Sequence, residues 1–87
     1  MTKLPARTVD FFDRYVTGLI VEKYGFGDKE AIRLFLESET YNMLIDPSLE
    51  IYAMSPHIVF DMWESERVTG DPRNSQYIRG DENEQAS

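Results

Sequence analysis

The chain has 87 residues, one histidine, no cysteine and a formal net charge of −7. The absence of cysteine excludes disulfide frameworks, zinc ribbons and thiol catalysis, and the negative charge disfavours nonspecific attraction to phosphate backbones and anionic lipids. A chain of this length forms one domain, and its 41 % apolar residues supply a modest core.

The N-terminal part of the sequence predicts one amphipathic helix after a frayed arm at residues 1–7. The helix is expected to run from residue 9 to about residue 24, with Thr8 as its N-cap. Gly25 is suited to the left-handed conformation that ends many helices. Apolar side chains recur on one face at helical spacing: Val9, Phe12, Val16, Leu19, Ile20 and Tyr24, widened by Phe11 and Tyr15.

Two shorter helices are predicted next. The second helix is expected over residues 29 to about 37, capped by Asp28, and Ser38 is positioned to cap a third. The second helix would bury Ala31, Ile32, Phe35 and Leu36, and the third contains Tyr41, Met43, Leu44 and Ile45.

A capping residue followed by proline occurs twice in the second half of the sequence. Asp46-Pro47 predicts a short turn, and Ser55-Pro56 predicts a helix from residue 56 to about residue 68, which Gly70 ends. The turn carries Leu49, Ile51, Tyr52 and Met54, and the helix would turn Ile58, Val59, Met62 and Trp63 inward. No segment shows the alternating apolar and polar residues that predict a β-strand. We therefore predict a single all-α domain over residues 1–87, a compact bundle of about four to five short helices with a solvated tail at residues 81–87.

The apolar stripes predict which large side chains are buried. Tyr52 and Trp63 are expected in the core, whereas Phe60 falls off the apolar line of its helix and is a candidate exposed anchor. The predicted core consists of Phe12, Val16, Leu19, Ile32, Phe35, Leu44, Val59, Met62 and Trp63.

The segment after Gly70 is predicted to be ordered. Pro72 restricts the chain, and Tyr77 with Ile78 is expected to fold back onto the helices. One of the arginines would then pair with the acidic face. Because aromatic residues and arginine are enriched at interface centres, we predict a partner-binding patch made of Phe60, Arg73, Tyr77 and Arg79.

Catalytic, metal-binding and cofactor-binding motifs are missing from the sequence. His57 is expected to be exposed in the first turn of its helix, and neither a nucleophile nor an orienting acid accompanies it. The acidic side chains follow no calcium-loop spacing and no Glu-x-x-His pattern, so they are expected to form solvated faces: Asp46, Glu50, Asp61, Glu64 and Glu66. We predict a protein that is not an enzyme and has no cofactor.

The charge distribution favours a protein partner over nucleic acid. Residues 28–66 hold most of the acidic side chains, which would steer the chain toward a basic protein or a second copy of itself. A helix-turn-helix DNA-binding regulator is the alternative, because consecutive short helices form that motif. Against it, the helix from residue 56 carries several carboxylates and only Arg67 as a base.

No apolar stretch approaches the roughly 18 residues that a bilayer span needs. Residues 1–7 also lack the apolar core of a signal peptide. These observations predict a cytoplasmic protein that does not bind membranes.

Several short motifs resemble a group of small, uncharacterised bacterial helical proteins, known only as domains of unknown function. They are residues 34–38, Thr40-Tyr41, Met43-Leu44, the Ser55-Pro56 helix start, residues 63–66 and residues 69–71. The resemblance covers about residues 9–80, and some similar small helical families accompany ADP-ribosyltransferase-like toxin genes. It implies an antitoxin-like or accessory regulatory role and assigns no functional residue.

Overall fold

A computed structural model describes residues 4–75 of the chain as four α-helices and three short 3₁₀ turns. No strand occurs within this range, so the predicted all-α fold is confirmed. The helices are α1 (Ala6–Tyr24), α2 (Asp28–Leu36), α3 (Glu39–Leu44) and α4 (Pro56–Thr69). The 3₁₀ turns span Pro47–Leu49, Ile51–Ala53 and Pro72–Asn74.

The predicted helix stops are confirmed at both long helices. Gly25 after α1 has φ 77°, and Gly70 after α4 has φ 88°. In this left-handed conformation, which glycine adopts without a steric cost, each backbone N–H donates to a carbonyl four residues earlier.

Three predicted caps are also confirmed. The side chains of Ser38, Asp46 and Ser55 each accept a hydrogen bond from a backbone N–H two or three residues further on. Each cap satisfies a donor that the first turn of a helix leaves without a partner. The local sequence therefore sets where α3, α4 and the first 3₁₀ turn begin.

Two predicted caps are wrong. Thr8 lies inside α1, which begins at Ala6, and its N–H donates to the Pro5 carbonyl at 3.0 Å. The fixed φ of proline suits the entry to a helix, so α1 starts before the first side chain that could cap it. Asp28 is the first residue of α2, with Gly27 in the capping position.

The core lies where α4 packs against α1 and α3, while α2 packs against α1. Trp63 is the largest fully enclosed side chain, with 2 % of its surface exposed, as predicted. The buried apolar residues are Phe12, Val16, Ile20, Ala31, Phe35, Met43, Leu44, Ile51, Val59, Met62 and Trp63.

Several residues that were predicted to be buried are not. Ile32 is 43 % exposed and Leu36 is exposed beside it, because α2 turns Ala31 and Phe35 inward and the next position along lies about 100° around the helix. Leu19 is only half-buried. Tyr52 is exposed because Ile51 is the buried residue of its 3₁₀ turn.

The prediction that the α4 carboxylates form a solvated face is wrong. Asp61, Glu64 and Glu66 are half-buried, and each binds a different part of the fold. Asp61 accepts a hydrogen bond at 2.5 Å from the hydroxyl of Ser75, which is buried after the last 3₁₀ turn. This contact joins α4 to the segment that follows it.

Glu64 joins α4 to the end of α1. Its Oε2 atom accepts hydrogen bonds from Lys23 Nζ at 2.6 Å and from the Tyr24 hydroxyl at 2.5 Å. Burial disfavours the charged carboxylate, but these two donors outweigh burial and hold the Glu64 pKa below its ordinary value. The carboxylate therefore remains charged in the folded protein.

Glu66 caps α3 from a neighbouring helix. Its two carboxylate oxygens accept hydrogen bonds at 2.9 Å from the backbone N–H groups of Glu39 and Thr40 and from the Thr40 hydroxyl. Thr40 is fully buried. A negative charge at a helix N-terminus is stabilising, so Glu66 of α4 adds to the local Ser38 cap at the start of α3, a helix of six residues.

The segment after Gly70 is ordered as far as the structure describes it, through Ser75. Pro72 and Ser75 are buried against α4. We expect deletion of residues 71–87 to lower the melting temperature by several degrees more than deletion of residues 76–87, because only the longer deletion removes this packing. Thermal unfolding followed by circular dichroism makes the comparison. Equal melting temperatures for both truncations would contradict the described docking.

Candidate functional site

The two described members of the predicted partner-binding patch, Phe60 and Arg73, contact different residues. Phe60 is half-buried, stacked on Trp63 with ring centroids 6.2 Å apart, and Lys23 lies 5.8 Å from its ring centre. It is therefore a rim residue of the core rather than an exposed anchor. Arg73 instead pairs with Asp71 at 3.2 Å and with Glu39 at 3.6 Å.

The other two members of that patch, Tyr77 and Arg79, lie outside the described residues, as do Ile78 and the predicted tail at residues 81–87. The pairing of an arginine with the acidic surface is confirmed at Arg73. The patch as a whole stays a prediction.

Arg67 has a role that the sequence did not reveal. Its guanidinium carbon lies 5.0 Å from the Trp63 ring centre and 5.8 to 5.9 Å from those of Phe26 and Tyr24. A guanidinium over aromatic faces is attracted by their quadrupoles. Trp63 precedes Arg67 by one turn of α4, whereas Tyr24 and Phe26 lie at the end of α1 and just after it, so only the folded chain brings these two rings to Arg67.

The outward surface of α1 presents two aromatic side chains to solvent. Phe11 is 52 % exposed and Tyr15 is 42 % exposed, with ring centroids 5.9 Å apart. Both were predicted to widen the buried face, but each side chain stays more than two-fifths exposed. We call this surface the α1 outer face. It surrounds an open cavity of about 390 Å³ lined by Arg7, Asp10, Phe11, Arg14 and Tyr15.

Tyr15 is held in place by α4. The Tyr15 and His57 rings meet edge to face at 5.5 Å, and the Tyr15 hydroxyl lies 3.4 Å from His57 Nε2. His57 is exposed, as predicted. The contact limits the motion of the Tyr15 ring, so this side chain would lose less conformational entropy on binding.

A groove between α1 and α2 adjoins the α1 outer face and shares Asp10 and Arg14 with it. The α1–α2 groove has a volume of about 390 Å³ and is lined by Asp10, Asp13, Arg14, Thr17, Gly18, Asp28 and Ile32. Three of these side chains are carboxylates. The one lining cation, Arg14, pairs with Asp10 at 3.3 Å. The groove is therefore an acidic surface next to an aromatic one.

Two polar atoms of the α1–α2 groove are buried without a hydrogen-bond partner among the described residues, namely Asp13 Oδ1 and Thr17 Oγ1. Thr17 is only 7 % exposed. A buried polar atom without a partner costs about 1 to 3 kcal/mol, and proteins satisfy the great majority of such atoms. The fold therefore encloses two polar atoms, one helical turn apart on α1, that have no described hydrogen-bond partner.

Burial raises the pKa of Asp13 above its ordinary value, and the nearby charge of Asp10 raises it further. The folded chain then binds a proton more tightly than the unfolded chain does. The stability contributed by the protonated carboxyl is present at low pH and is lost as pH rises through the raised pKa.

We expect Asp13→Asn, which keeps the shape and removes this titration, to become more stable relative to the wild type as pH increases. Urea unfolding of both proteins between about pH 3 and about pH 7 measures the difference. A difference that stays constant or shrinks with rising pH would contradict the raised pKa.

Residues 4–75 contain neither a metal-binding cluster nor a membrane-spanning helix. Within residues 4–75, no group of three acidic, histidine or cysteine side chains is arranged to hold a metal ion. No helix in the same range combines the length and the apolarity needed to cross a membrane. The features that stand out are thus surfaces: the α1 outer face and the α1–α2 groove.

No family model, curated protein or solved structure matches this chain. The resemblance to small bacterial helical proteins therefore stays a prediction.

Proposed function

We propose that this chain is a non-catalytic protein-interaction module that binds its partner through the α1 outer face. The observation that carries the proposal is the pair Phe11 and Tyr15, two neighbouring aromatic rings each more than two-fifths exposed. Aromatic residues and arginine are enriched at the centres of protein interfaces. Arg7 and Arg14 flank the rings on the same face.

The surface charge supports a basic partner. The groove beside the aromatic pair carries Asp10, Asp13 and Asp28, and the whole chain has a net charge of −7. Such a field accelerates encounter with a positively charged surface and repels nucleic acid and anionic lipid. In this proposal the module acts in the cytoplasm as an antitoxin-like or accessory regulator, and its partner is another protein or a second copy of the chain.

A DNA-binding role has less support. In a helix-turn-helix, the N-terminal part of the second helix meets the base edges. Here the corresponding helix, α3, begins with Glu39, and the Glu66 carboxylate occupies its N-terminal N–H groups. Negative charge at that position would repel the phosphates on either side of the groove.

Two double variants test the proposal, because only one of them changes the α1 outer face and should stop binding the partner. We expect Phe11→Ser with Tyr15→Ser to lose the partner that the wild-type chain retains from a host-cell extract. Leu49→Ser with Tyr52→Ser, a matched pair of exposed apolar residues on the 3₁₀ turns, should keep it. Both pairs are exposed, so melting temperatures should stay close to the wild type.

Quantitative mass spectrometry of the retained proteins, with analytical ultracentrifugation to detect self-association, gives the comparison. Retention of the same partner by both folded double variants would contradict the proposal, and so would loss of the partner only in the 3₁₀-turn variant.

A further inference from the structure

The α1 outer face continues along most of α1. A second open hollow shares Tyr15 with the open cavity of that face and extends to Gly18 and Glu22. Successive residues of an α-helix lie about 100° apart around its axis, so every third or fourth residue falls on the same side. Six exposed residues therefore form one stripe opposite the buried side of α1: Arg7, Phe11, Arg14, Tyr15, Gly18 and Glu22.

This stripe consists of two parallel rows, because residues four apart follow one another along a helix surface. The first row is Arg7, Phe11 and Tyr15, and the second row is Arg14, Gly18 and Glu22. The first row is bulky and begins with a cation. The second row has no side chain at its centre and ends with an anion. The two rows are therefore complementary in shape and, at their outer ends, in charge.

Gly18 has no role within the described chain that requires glycine. Its backbone is ordinary α-helix without a positive φ, and a Cβ atom placed on it would meet nothing within 4 Å. Glycine is among the least favourable residues in the interior of a helix. What it provides at this exposed position is a gap in the second row, which allows another chain to approach the backbone closely.

The charges at the two ends of the stripe have no partner within residues 4–75. Neither Arg7 nor Glu22 forms an ion pair there, and both side chains are exposed. The two residues lie about 22 Å apart along the helix axis, so they cannot reach each other within one chain. A second copy of α1 that runs in the opposite direction brings each of them beside the other.

We infer that the α1 outer face binds a second copy of this chain, with the two α1 helices antiparallel and related by a two-fold axis. This inference rests on the proposed function and names the partner. The first row of each copy lies along the second row of the other, which puts Arg7 beside Glu22 and Phe11 over Gly18. A parallel pair would instead place like charges opposite each other, which is unfavourable.

The two-fold axis passes between Arg14 and Tyr15, so Arg14 of each copy lies over the Tyr15 ring of the other. Arg14 is already paired with Asp10, and it contributes through the planar guanidinium, which aromatic rings attract. His57 contacts the same tyrosine from within the chain and limits its motion. An interface of one helix from each copy is at the small end of specific interfaces, so we expect a reversible dimer.

Charge reversal tests this arrangement, because each substitution acts twice in a symmetric dimer. Sedimentation velocity of the full chain in about 50 mM salt, where exposed charges are weakly screened, follows dimerisation between about 10 and about 500 µM protein. We expect the wild type to dimerise within this range. Arg7→Glu and Glu22→Arg should each weaken the dimer about tenfold or more, since each places like charges side by side.

Two combinations should restore the dimer. The double variant Arg7→Glu with Glu22→Arg exchanges the charges and forms both ion pairs again. An equimolar mixture of the two single variants does the same in a mixed dimer. The control variants Lys29→Glu and Glu37→Arg make the same changes in net charge at exposed positions in and beside α2. These variants and their mixture should change dimerisation by no more than about twofold.

A wild-type chain that stays monomeric at about 500 µM would overturn the inference, and so would a dimer that neither combination restores. The proposed function fails separately. If Phe11→Ser with Tyr15→Ser left both the dimer and the partner retained from the cell extract unchanged, the α1 outer face would not be the binding surface. If that double variant lost a different protein while the wild type stayed monomeric, the proposed function would stand and the inference would fall.

Discussion

Trp63→Ala is expected to lower the free energy of unfolding by about 3 to 5 kcal/mol, the largest effect of any single substitution considered for this chain. Trp63 is 2 % exposed at the centre of the core, with the rings of Tyr24 and Phe60 about 6 Å away. A domain of this size has about 5 kcal/mol of stability or little more, so the variant would be largely unfolded.

Urea unfolding measures the loss, and Trp63→Phe, which keeps an aromatic ring, should unfold at an intermediate urea concentration. Tyr52→Ala is the control, since Tyr52 is 38 % exposed and its truncation should cost about 0.5 kcal/mol. If Trp63→Ala were as stable as Tyr52→Ala, or if the folded wild type showed the tryptophan emission of a fully hydrated indole, the central place of Trp63 would be refuted.

The second large effect is expected at Glu66. Glu66→Ala should lower the free energy of unfolding by about 2 to 4 kcal/mol, because it removes three hydrogen bonds and the charge at the N-terminus of α3. The N–H of Thr40 would then be left without its acceptor inside the protein. A net loss of about 1 kcal/mol for each bond gives the estimate.

Two further variants show how much of the loss is due to the charge of Glu66 and how much any surface carboxylate would contribute. Glu66→Gln keeps one acceptor oxygen and should lose about half as much stability. Glu37→Ala removes an exposed carboxylate whose only described ion pair, with Arg33, is exposed, so its cost should fall within about 0.5 kcal/mol. If Glu66→Ala and Glu37→Ala had equal stability, the cap from α4 would contribute nothing.

The local features of the fold could be predicted from the sequence because they depend on neighbouring residues. Ser38, Asp46 and Ser55 cap the elements that follow them, and Gly25 and Gly70 end helices in the left-handed conformation. In each case the partner of the capping group lies within four residues in the chain. Helical periodicity likewise predicts seven of the eleven buried apolar residues, among them Phe12 and Trp63.

The roles of the α4 carboxylates could not be predicted in the same way. Glu64 binds side chains of α1, and Glu66 binds backbone groups of α3, more than twenty residues away in each case. Periodicity places them on the polar side of α4, where a solvated carboxylate is the ordinary outcome. Only the packing of α1 and α3 beside α4 converts that side into an internal surface.

The sequence does not predict the α1 outer face, because its two aromatic side chains were expected to be buried and are exposed. Phe11 and Tyr15 extend the apolar stripe of α1, and the pattern alone predicts that they are buried. The described chain has too few elements to surround a helix of 19 residues, so one side of α1 stays uncovered. The sequence feature that could have predicted this exposure is the width of the apolar face of α1, which is too large for the few other helices to cover.

The most direct test of the central claim, that α1 carries the partner site, is site-specific photo-crosslinking in the native host. A photoreactive phenylalanine analogue replaces Phe11 in one protein and Tyr52 in another, two aromatic positions that are both exposed. We expect a single defined adduct, with another protein or with a second copy of the chain, from position 11 and none from position 52. An adduct from position 52 with none from position 11 would contradict it.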